Sequence, residues 1–241
     1  ISNPDSIVTK GYTGVGLINL RDVIVSGKYA YVTDDTNYRL AVFDISNPDS
    51  IVAKAYTSVG LGEATSVYVS GKYAYVGNNS NNRLSIFDIS NPDSIVTKGN
   101  TGLGLTWPMS VYVSGKYAYV ASYNNNRLCI FDISNPDSIV AKGNSGVGLS
   151  APYSVYVSGK YAYVASQDNS RLAVFDISNP DNIVTKGSTT ANLNMPQSVF
   201  VSGKYAYVAD FGNSQLCIFE LNNTDTPTFN TGAATISNLQ V

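Results

Sequence analysis

The sequence has no histidine at all, and its 241 residues include only two cysteines, two methionines and one tryptophan. Without histidine the chain has neither an imidazole general base nor an imidazole metal ligand. Charged residues make up 13% of the chain, with 15 basic residues against 17 acidic ones and no basic cluster. These absences argue against most enzymes, predict neither a metal nor a cofactor, and disfavour a nucleic-acid partner.

Long apolar runs are also missing. The longest comprise four to six residues, whereas a membrane-spanning helix needs about 20. Membrane insertion is therefore not expected. The chain begins without methionine and without a charged leader segment, so we expect a processed product or a fragment.

What the chain does contain is one 44-residue unit, repeated five times. The string SGKYAYV recurs at this spacing, starting at Ser26, Ser70, Ser114, Ser158 and Ser202. The string ISNPD recurs at the same spacing, starting at Ile1, Ile45, Ile89, Ile133 and Ile177. The two cysteines, Cys129 and Cys217, occupy one repeat position that is alanine or serine in the other copies. That substitution pattern predicts a small buried core site rather than a reactive thiol.

Each unit is predicted to contain four short strands. In the copy that starts at Ser110, the segments SVYVSG, KYAYVAS, RLCIFDIS and SIVAKGN are rich in β-branched and aromatic residues. Gly115 suits a tight hairpin turn between the first two strands, named A and B, because glycine accepts a positive φ. Asn135-Pro136-Asp137 predicts a turn between strands C and D. No segment has helical periodicity, so the fold is predicted to be all-β.

Four-stranded units that repeat every 40 to 50 residues are typical of a β-propeller. The blocks SGKYAYVA and RLAVFDISNPDSIV resemble the LVIVP-repeat propellers of bacterial and archaeal surface proteins, over residues 1–220. The resemblance implies a propeller fold and an extracellular or cell-surface location. It implies little about chemistry.

The two ends of the chain predict how the ring closes. Residues 1–220 are predicted to form a five-bladed propeller, in which the N-terminal strand at residues 6–10 completes the fifth blade. Residues 221–241 are predicted to be a linker followed by a β-prone tail with apolar Ile236, Leu239 and Val241. The tail is expected either to dock on its own propeller or to add a strand to a neighbouring subunit and so drive self-assembly.

Variation between the copies falls on one face. The A–B and C–D turns are nearly constant, whereas the B–C loops and the D–A approaches differ. The D–A positions are expected to ring the channel mouth, and they are Asn19, Glu63, Trp107, Ala151, Met195, Arg21, Thr65, Met109, Tyr153 and Gln197. The ligand-binding candidates among them are Arg21, Glu63, Trp107, Met109, Tyr153 and Gln197. Exposed Trp107, Tyr123, Tyr153 and Phe211 could stack on sugars, although loops also vary without selection.

The remaining polar motifs have structural interpretations. Repeated aspartates and arginines, such as Asp44 and Arg39, predict ties within each blade, and the Asn37 series predicts a left-handed turn position. Only Asp22 and Glu63 place carboxylates on the D–A approaches, which is too few for a propeller glycosidase. Asp34-Asp35 alone is too small a ligand set for calcium. Asn78 and Asn222 lie in glycosylation sequons.

Taken together, these patterns predict a non-enzymatic extracellular module. It would be the propeller head or subunit of a surface fibre or filament, acting in assembly or adhesion through a protein partner. The alternative is a lectin that binds a glycan through the variable B–C and D–A loops. A glycan-cleaving enzyme is the third hypothesis.

Overall fold

The computed structural model describes residues 8–14 and 16–221. In that part of the chain the backbone forms nineteen β-strands and no helix. No helix long and apolar enough to cross a membrane occurs there. The strands form five separate antiparallel sheets in which neighbours in sequence are neighbours in space. This arrangement confirms the all-β class and fits five blades, which are numbered one to five in chain order.

In the described residues, four blades contain four strands each and the fifth contains three. Blade one comprises β1 (Leu20–Ser26), β2 (Tyr29–Asp34), β3 (Arg39–Asp44) and β4 (Val52–Thr57). Blade two comprises β5 (Ala64–Ser70), β6 (Tyr73–Asn78), β7 (Arg83–Asp88) and β8 (Val96–Thr101). Blade three comprises β9 (Pro108–Ser114), β10 (Tyr117–Ser122), β11 (Arg127–Asp132) and β12 (Val140–Asn144). Blade four comprises β13 (Pro152–Ser158), β14 (Tyr161–Ser166), β15 (Arg171–Asp176) and β16 (Val184–Thr189). Blade five comprises β17 (Pro196–Ser202), β18 (Tyr205–Asp210) and β19 (Gln215–Glu220).

The second and third strands of a blade are buried on both faces because blades pack on each other. In blade three, Ala118, Tyr119 and Val120 are each at most 4% exposed although they are consecutive. Alternate side chains point to opposite faces of a sheet, so Tyr119 packs against blade four while Ala118 and Val120 pack against blade two. The core of this protein therefore lies between blades.

Neighbouring blades are also joined by a repeated hydrogen bond at the inner strand. The Asp22 carboxylate accepts a hydrogen bond from the backbone N–H of Val67 in the next blade, at 2.8 Å. A serine hydroxyl plays the same part at the other joints, at 3.2–3.3 Å, where the acceptors are Ser66, Ser110 and Ser154 and the donors are the N–H groups of Val111, Val155 and Val199. The first strands of successive blades thus lie side by side along the inner wall.

Closure of the ring by the N-terminal strand is not confirmed. Residues 6 and 7 of that predicted strand lie outside the described residues, and residues 8–10 have no strand assignment. Val23 of blade one is 61% exposed, whereas its counterpart Val67 is 4% exposed. Leu216 of blade five is 65% exposed, whereas its counterpart Leu172 is fully buried. In the described part of the chain, no apolar cluster joins blade five to blade one.

The N-terminal segment nevertheless has a defined place on blade one. Lys10 Nζ lies 3.8 Å from the Asp49 carboxylate. The same lysine–aspartate contact joins the outer strand of one blade to the C–D turn of the next at 2.9–3.8 Å, in the pairs Lys54–Asp93, Lys98–Asp137 and Lys142–Asp181. Residues 8–12 therefore occupy the position of the outer strand of a blade preceding blade one.

The repeated aspartates tie each blade together, although not through the arginines. Asp44 accepts hydrogen bonds from the backbone N–H and the hydroxyl of Ser46 and lies 3.5 Å from Lys28 Nζ. Arg39 instead pairs with Asp34, at 3.2 Å. The left-handed turn residue is one position later than predicted: it is Tyr38 rather than Asn37 in blade one, and Asn82, Asn126, Ser170 and Ser214 in the others.

Candidate functional site

The variable face is built on a backbone contact that all five blades share. At the start of each blade, a D–A carbonyl accepts a hydrogen bond from the first N–H of the B–C loop, at 2.7–3.3 Å. The acceptor–donor pairs are Asn19–Asp35, Glu63–Asn79, Trp107–Tyr123, Ala151–Gln167 and Met195–Phe211. A constant backbone thus presents a variable pair of side chains at the same end of every sheet.

The chemistry of these pairs changes from blade to blade. Asn19 donates to the Asp35 carboxylate at 3.0 Å, and Asn79 donates to the Glu63 carboxylate at 3.2 Å. The rings of Trp107 and Tyr123 stack with their centroids 6.1 Å apart. Blades one and two therefore present polar pairs on this face, while blade three presents an aromatic pair.

Trp107 has a backbone conformation that residues other than glycine adopt only at a cost in free energy. Its φ is 55°, in the left-handed region. Its N–H donates to the Asn82 side-chain carbonyl at 2.9 Å, and the N–H of Ala151, whose φ is 51°, donates to Asn126 at 2.8 Å. An asparagine of the preceding blade therefore fixes the D–A corner on which the tryptophan is displayed.

The aromatic pair of blade three continues onto blade four. The Tyr153 ring meets the Tyr123 ring edge-on at 6.3 Å, and Trp107 is 45% exposed. The pKa of Tyr123 is raised by burial first, and then by the nearby charge of Asp168 and by Tyr153. The charge of Asp168 therefore acts on Tyr123, and we call Trp107, Tyr123, Tyr153 and Asp168 the aromatic site.

Blade one offers charge instead, but its charges are already paired. Arg21 lies 2.8 Å from the Asp35 carboxylate. Asp34 accepts from the N–H of Ile18 and from Asn37. Burial opposes ionisation of Asp34, but the Asn37 and Ile18 donors and the Arg39 charge outweigh it and lower its pKa. Donors occupy both oxygens of Asp34 and Oδ2 of Asp35, whereas Asp35 Oδ1 is buried without a hydrogen-bond partner. The described residues contain no cluster of metal ligands.

The candidate residues on the variable face fall into two groups. Arg21 and Glu63 make the polar pairs of blades one and two, while Trp107 and Tyr153 belong to the aromatic site. Met109 and Gln197 are half-buried at the register positions expected of them. Asp168 was not among the candidate residues predicted from the sequence. Its position beside Tyr123 depends on a contact between two blades, for which the sequence carries no signal.

Asn78 is fully buried, accepts from the N–H of Gly62 and donates to the Gly60 carbonyl. The prediction of Asn78 as a glycosylation site is therefore corrected, because this amide is unavailable for glycosylation in the folded blade. Asn222 and the tail residues Ile236, Leu239 and Val241 lie outside the described residues.

Comparison with protein families identifies the repeat. The family model described as LVIVD repeat matches residues 19–56, 61–101, 108–145, 152–191 and 195–220, more than half of the chain. The chain belongs to the LVIVD-repeat family. The predicted membership of an LVIV-type repeat family is thereby confirmed. A search of curated proteins found no significant match.

Solved structures share the fold at low identity. A Bacteroides uniformis protein proposed to be a 6-phosphogluconolactonase has a TM-score of 0.74 and 18% identity, over 89% of this chain and 71% of its own. The periplasmic gluconolactonase of Pseudomonas aeruginosa has a TM-score of 0.74 and 14% identity, over 91% and 70%. A protein of unknown function from Desulfotomaculum acetoxidans has a TM-score of 0.71 and 17% identity, over 88% and 68%.

The lactonase names of two of these similar structures contradict the prediction that the protein is not an enzyme, so that prediction is wrong. It took the absence of histidine as evidence against catalysis. Carboxylate, tyrosine and lysine side chains also transfer protons, and this chain has all three. At 14–18% identity the likeness itself shows the fold alone.

Proposed function

We propose that the protein is an extracellular recognition module that binds a saccharide at the aromatic site. The observation that carries the proposal is the row of three rings across blades three and four, with Trp107 45% exposed and Asp168 beside Tyr123. Sugar rings stack their C–H faces on aromatic side chains, and a carboxylate accepts hydrogen bonds from sugar hydroxyls.

The framework around the aromatic site supports this function. The Trp107 N–H donates to the Asn82 side chain and the Ala151 N–H donates to that of Asn126, so the backbone at both D–A corners is fixed before any ligand arrives. Preorganisation of this kind lowers the cost of binding. The site is asymmetric because the same positions carry polar pairs in blades one and two. One ligand per chain is expected.

The single tryptophan makes the proposal directly testable. Because Trp107 is the only tryptophan of the chain, a saccharide that stacks on it changes the intrinsic fluorescence from this site alone. Glycans selected on an array should shift that fluorescence and saturate. Tyr153→Ala and Asp168→Asn should each weaken binding by about 5- to 30-fold, since either removes about 1–2 kcal/mol of contact.

The matched control is Tyr12→Ala, because Tyr12 is 90% exposed and lies in the segment beside blade one rather than on blades three and four. It should leave the affinity unchanged. A full array without a glycan that perturbs the fluorescence, or equal losses in the control and the site variants, would refute saccharide binding at this site.

Lactone hydrolysis is a second candidate function, favoured by the names of two of the similar structures. A sugar lactone carries the same ring hydroxyls as a saccharide, so the aromatic site would bind it, with Asp168 as the candidate general base. Gluconolactone and its 6-phosphate are the substrates to assay. Turnover that is lost in Asp168→Asn but kept in Tyr12→Ala would establish this function, and absence of turnover would leave recognition alone.

The extracellular location and the part in assembly or adhesion belong to the same proposal. A surface role is supported by a rigid scaffold that displays one variable face. Assembly through Ile236, Leu239 and Val241 stays a prediction. Protease shaving of intact source cells should release this chain if it is displayed at the surface.

A further inference from the structure

Two apolar flanks at the ends of the blade array are exposed, and they are the two halves of a joint. The leading flank of blade one consists of Leu20, Val23 and Val25, each at least 50% exposed. The trailing flank of blade five consists of Tyr207, Leu216 and Ile218, of which Leu216 is 65% exposed. Exposed apolar surfaces of this kind mark interaction sites.

The joints inside the chain show what each flank binds. At the joint of blades four and five, the trailing residues Tyr163, Leu172 and Val174 pack against the leading residues Val199 and Val201. Leu172 is fully buried there, and both valines are at most 6% exposed. Leu216 and Val23 are the repeat equivalents of Leu172 and Val199. Among the described residues, one trailing flank and one leading flank of a joint that the chain makes four times therefore have no partner blade.

The hydrogen-bonding groups of the joint are also present at the two ends of the array. Internal joints use a hydroxyl or carboxylate on the inner strand to accept the N–H of a valine in the next blade. The equivalent acceptor on blade five is Ser198, which is exposed, and its equivalent donor is the N–H of Val23. In this structure the Val23 N–H donates a hydrogen bond to the side chain of the adjacent Asp22, at 2.9 Å.

The N-terminal segment determines whether a three-stranded or a four-stranded blade can dock on blade one. Residues 8–12 already occupy the outer-strand position beside blade one, where Lys10 contacts Asp49. A complete four-stranded blade would compete for that place. Blade five has three strands in the described part of the chain, so it fits against blade one and gains the segment as its fourth strand.

We propose that the trailing flank of blade five binds the leading flank of blade one in a second copy of this chain. The two flanks are apart within one chain, and bringing them together would require the four packed joints between blades to change their angles. Packed interiors resist such deformation. Docking onto a second copy leaves all four joints as they are.

Such a contact is head-to-tail, because it joins two different surfaces. After each docking step the assembly still has one free leading flank and one free trailing flank, so further copies can add. The product is an open filament unless the rotation between successive copies closes a ring. This route to assembly uses the blades themselves. It is independent of the saccharide proposal and of the tail.

The experiment uses the full chain with two charge substitutions, Val23→Asp on the leading flank and Leu216→Asp on the trailing flank. The average mass of the unmodified chain should rise with concentration in sedimentation equilibrium. Each variant alone should remain monomeric, since an unpaired carboxylate in the buried joint weakens association by about 100-fold or more. An equimolar mixture of the two variants should give a dimer that does not grow, because one intact pair of flanks remains.

Control variants separate this joint from other routes. Val147→Asp, at a position 84% exposed and away from both flanks, should assemble like the unmodified chain, and so should Ile236→Asp in the tail. A chain that stays monomeric at every concentration, because its own blades close, overturns the proposal. So does assembly that survives both flank substitutions but is lost in Ile236→Asp.

Discussion

At the scale of single residues, the two cysteines show how one repeat position acquires different surroundings. Cys129 is buried between blades two and three, and burial raises its pKa to about 12. Cys217 occupies the same position in blade five, where it is only partly buried. The predicted small core site is therefore confirmed for Cys129. Cys217 differs because β19 is the last strand of its sheet in the described residues, whereas β11, which carries Cys129, is paired with β12.

This difference predicts selective thiol chemistry. Cys217 should react with iodoacetamide about tenfold faster than Cys129 or more, because access and thiolate fraction both limit alkylation. Mass spectrometry of peptides from briefly treated native protein would measure the two rates, and unfolded protein should lose the selectivity. Cys129→Ala is the matched control, since alanine fills this position in blades one and four. Equal native rates would contradict the burial described for Cys129.

At the scale of elements, the C–D turns carry the most regular electrostatic feature of the protein. The hydroxyl and the N–H of Ser46 hold the pKa of Asp44 below its usual range, with help from Lys28. Serine donors lower the pKa of the equivalent aspartates in the same way, in the pairs Asp88–Ser90, Asp132–Ser134 and Asp176–Ser178. Four turns thus prefer the ionised carboxylate.

These shifts predict an acid-sensitive fold. An aspartate with a depressed pKa stabilises the folded state fully above its unfolded pKa of about 3.9, and the stabilisation is lost as pH falls through the folded pKa. The melting temperature should therefore fall below about pH 4. Combined Ser46→Ala, Ser90→Ala, Ser134→Ala and Ser178→Ala should lower it at neutral pH and flatten its fall in acid. Serine-to-alanine changes at the A–B hairpins, at Ser26, Ser70, Ser114 and Ser158, should leave the slope unchanged.

At the scale of the whole molecule, five blades form an array whose ends differ from its interior. Leu40, Leu84, Leu128 and Leu172 are all fully buried at one repeat position, whereas Leu216 is 65% exposed. The blades depend on neighbours for burial because each core is shared, as in other repeat architectures. Stability is therefore expected to be highest in the interior blades.

The matched leucines test this arrangement in a dilute, monomeric solution. Leu172→Ala should cost about 2–5 kcal/mol of unfolding free energy because it leaves a cavity. Leu216→Ala should change that free energy by no more than about 0.5 kcal/mol, as exposed substitutions do. Thermal melting followed by circular dichroism gives the comparison. Equal losses in the monomer would mean that the ring closes on itself, as the sequence analysis predicted.

Local patterns in the sequence were sufficient for the blade. The β-branched and aromatic residues, the glycine hairpin turns and the Asn-Pro-Asp turns predict the ends of β9–β12 to within about two residues, because strands and turns depend on neighbours along the chain. The repeat period likewise predicts five blades. The face that carries Trp107 and Tyr153 follows from which loops vary.

Only the tertiary structure decided how blades meet. The proximity of Asp168 to Tyr123, the burial of Asn78 and the left-handed position at Tyr38 each depend on a contact or a turn geometry that no spacing reveals. The same holds for the ends of the array. A 44-residue repeat specifies which surfaces are complementary, but the angle between successive blades decides whether the first and last ones touch. That angle is set by side-chain packing across four joints, and in this protein it leaves Val23 and Leu216 exposed.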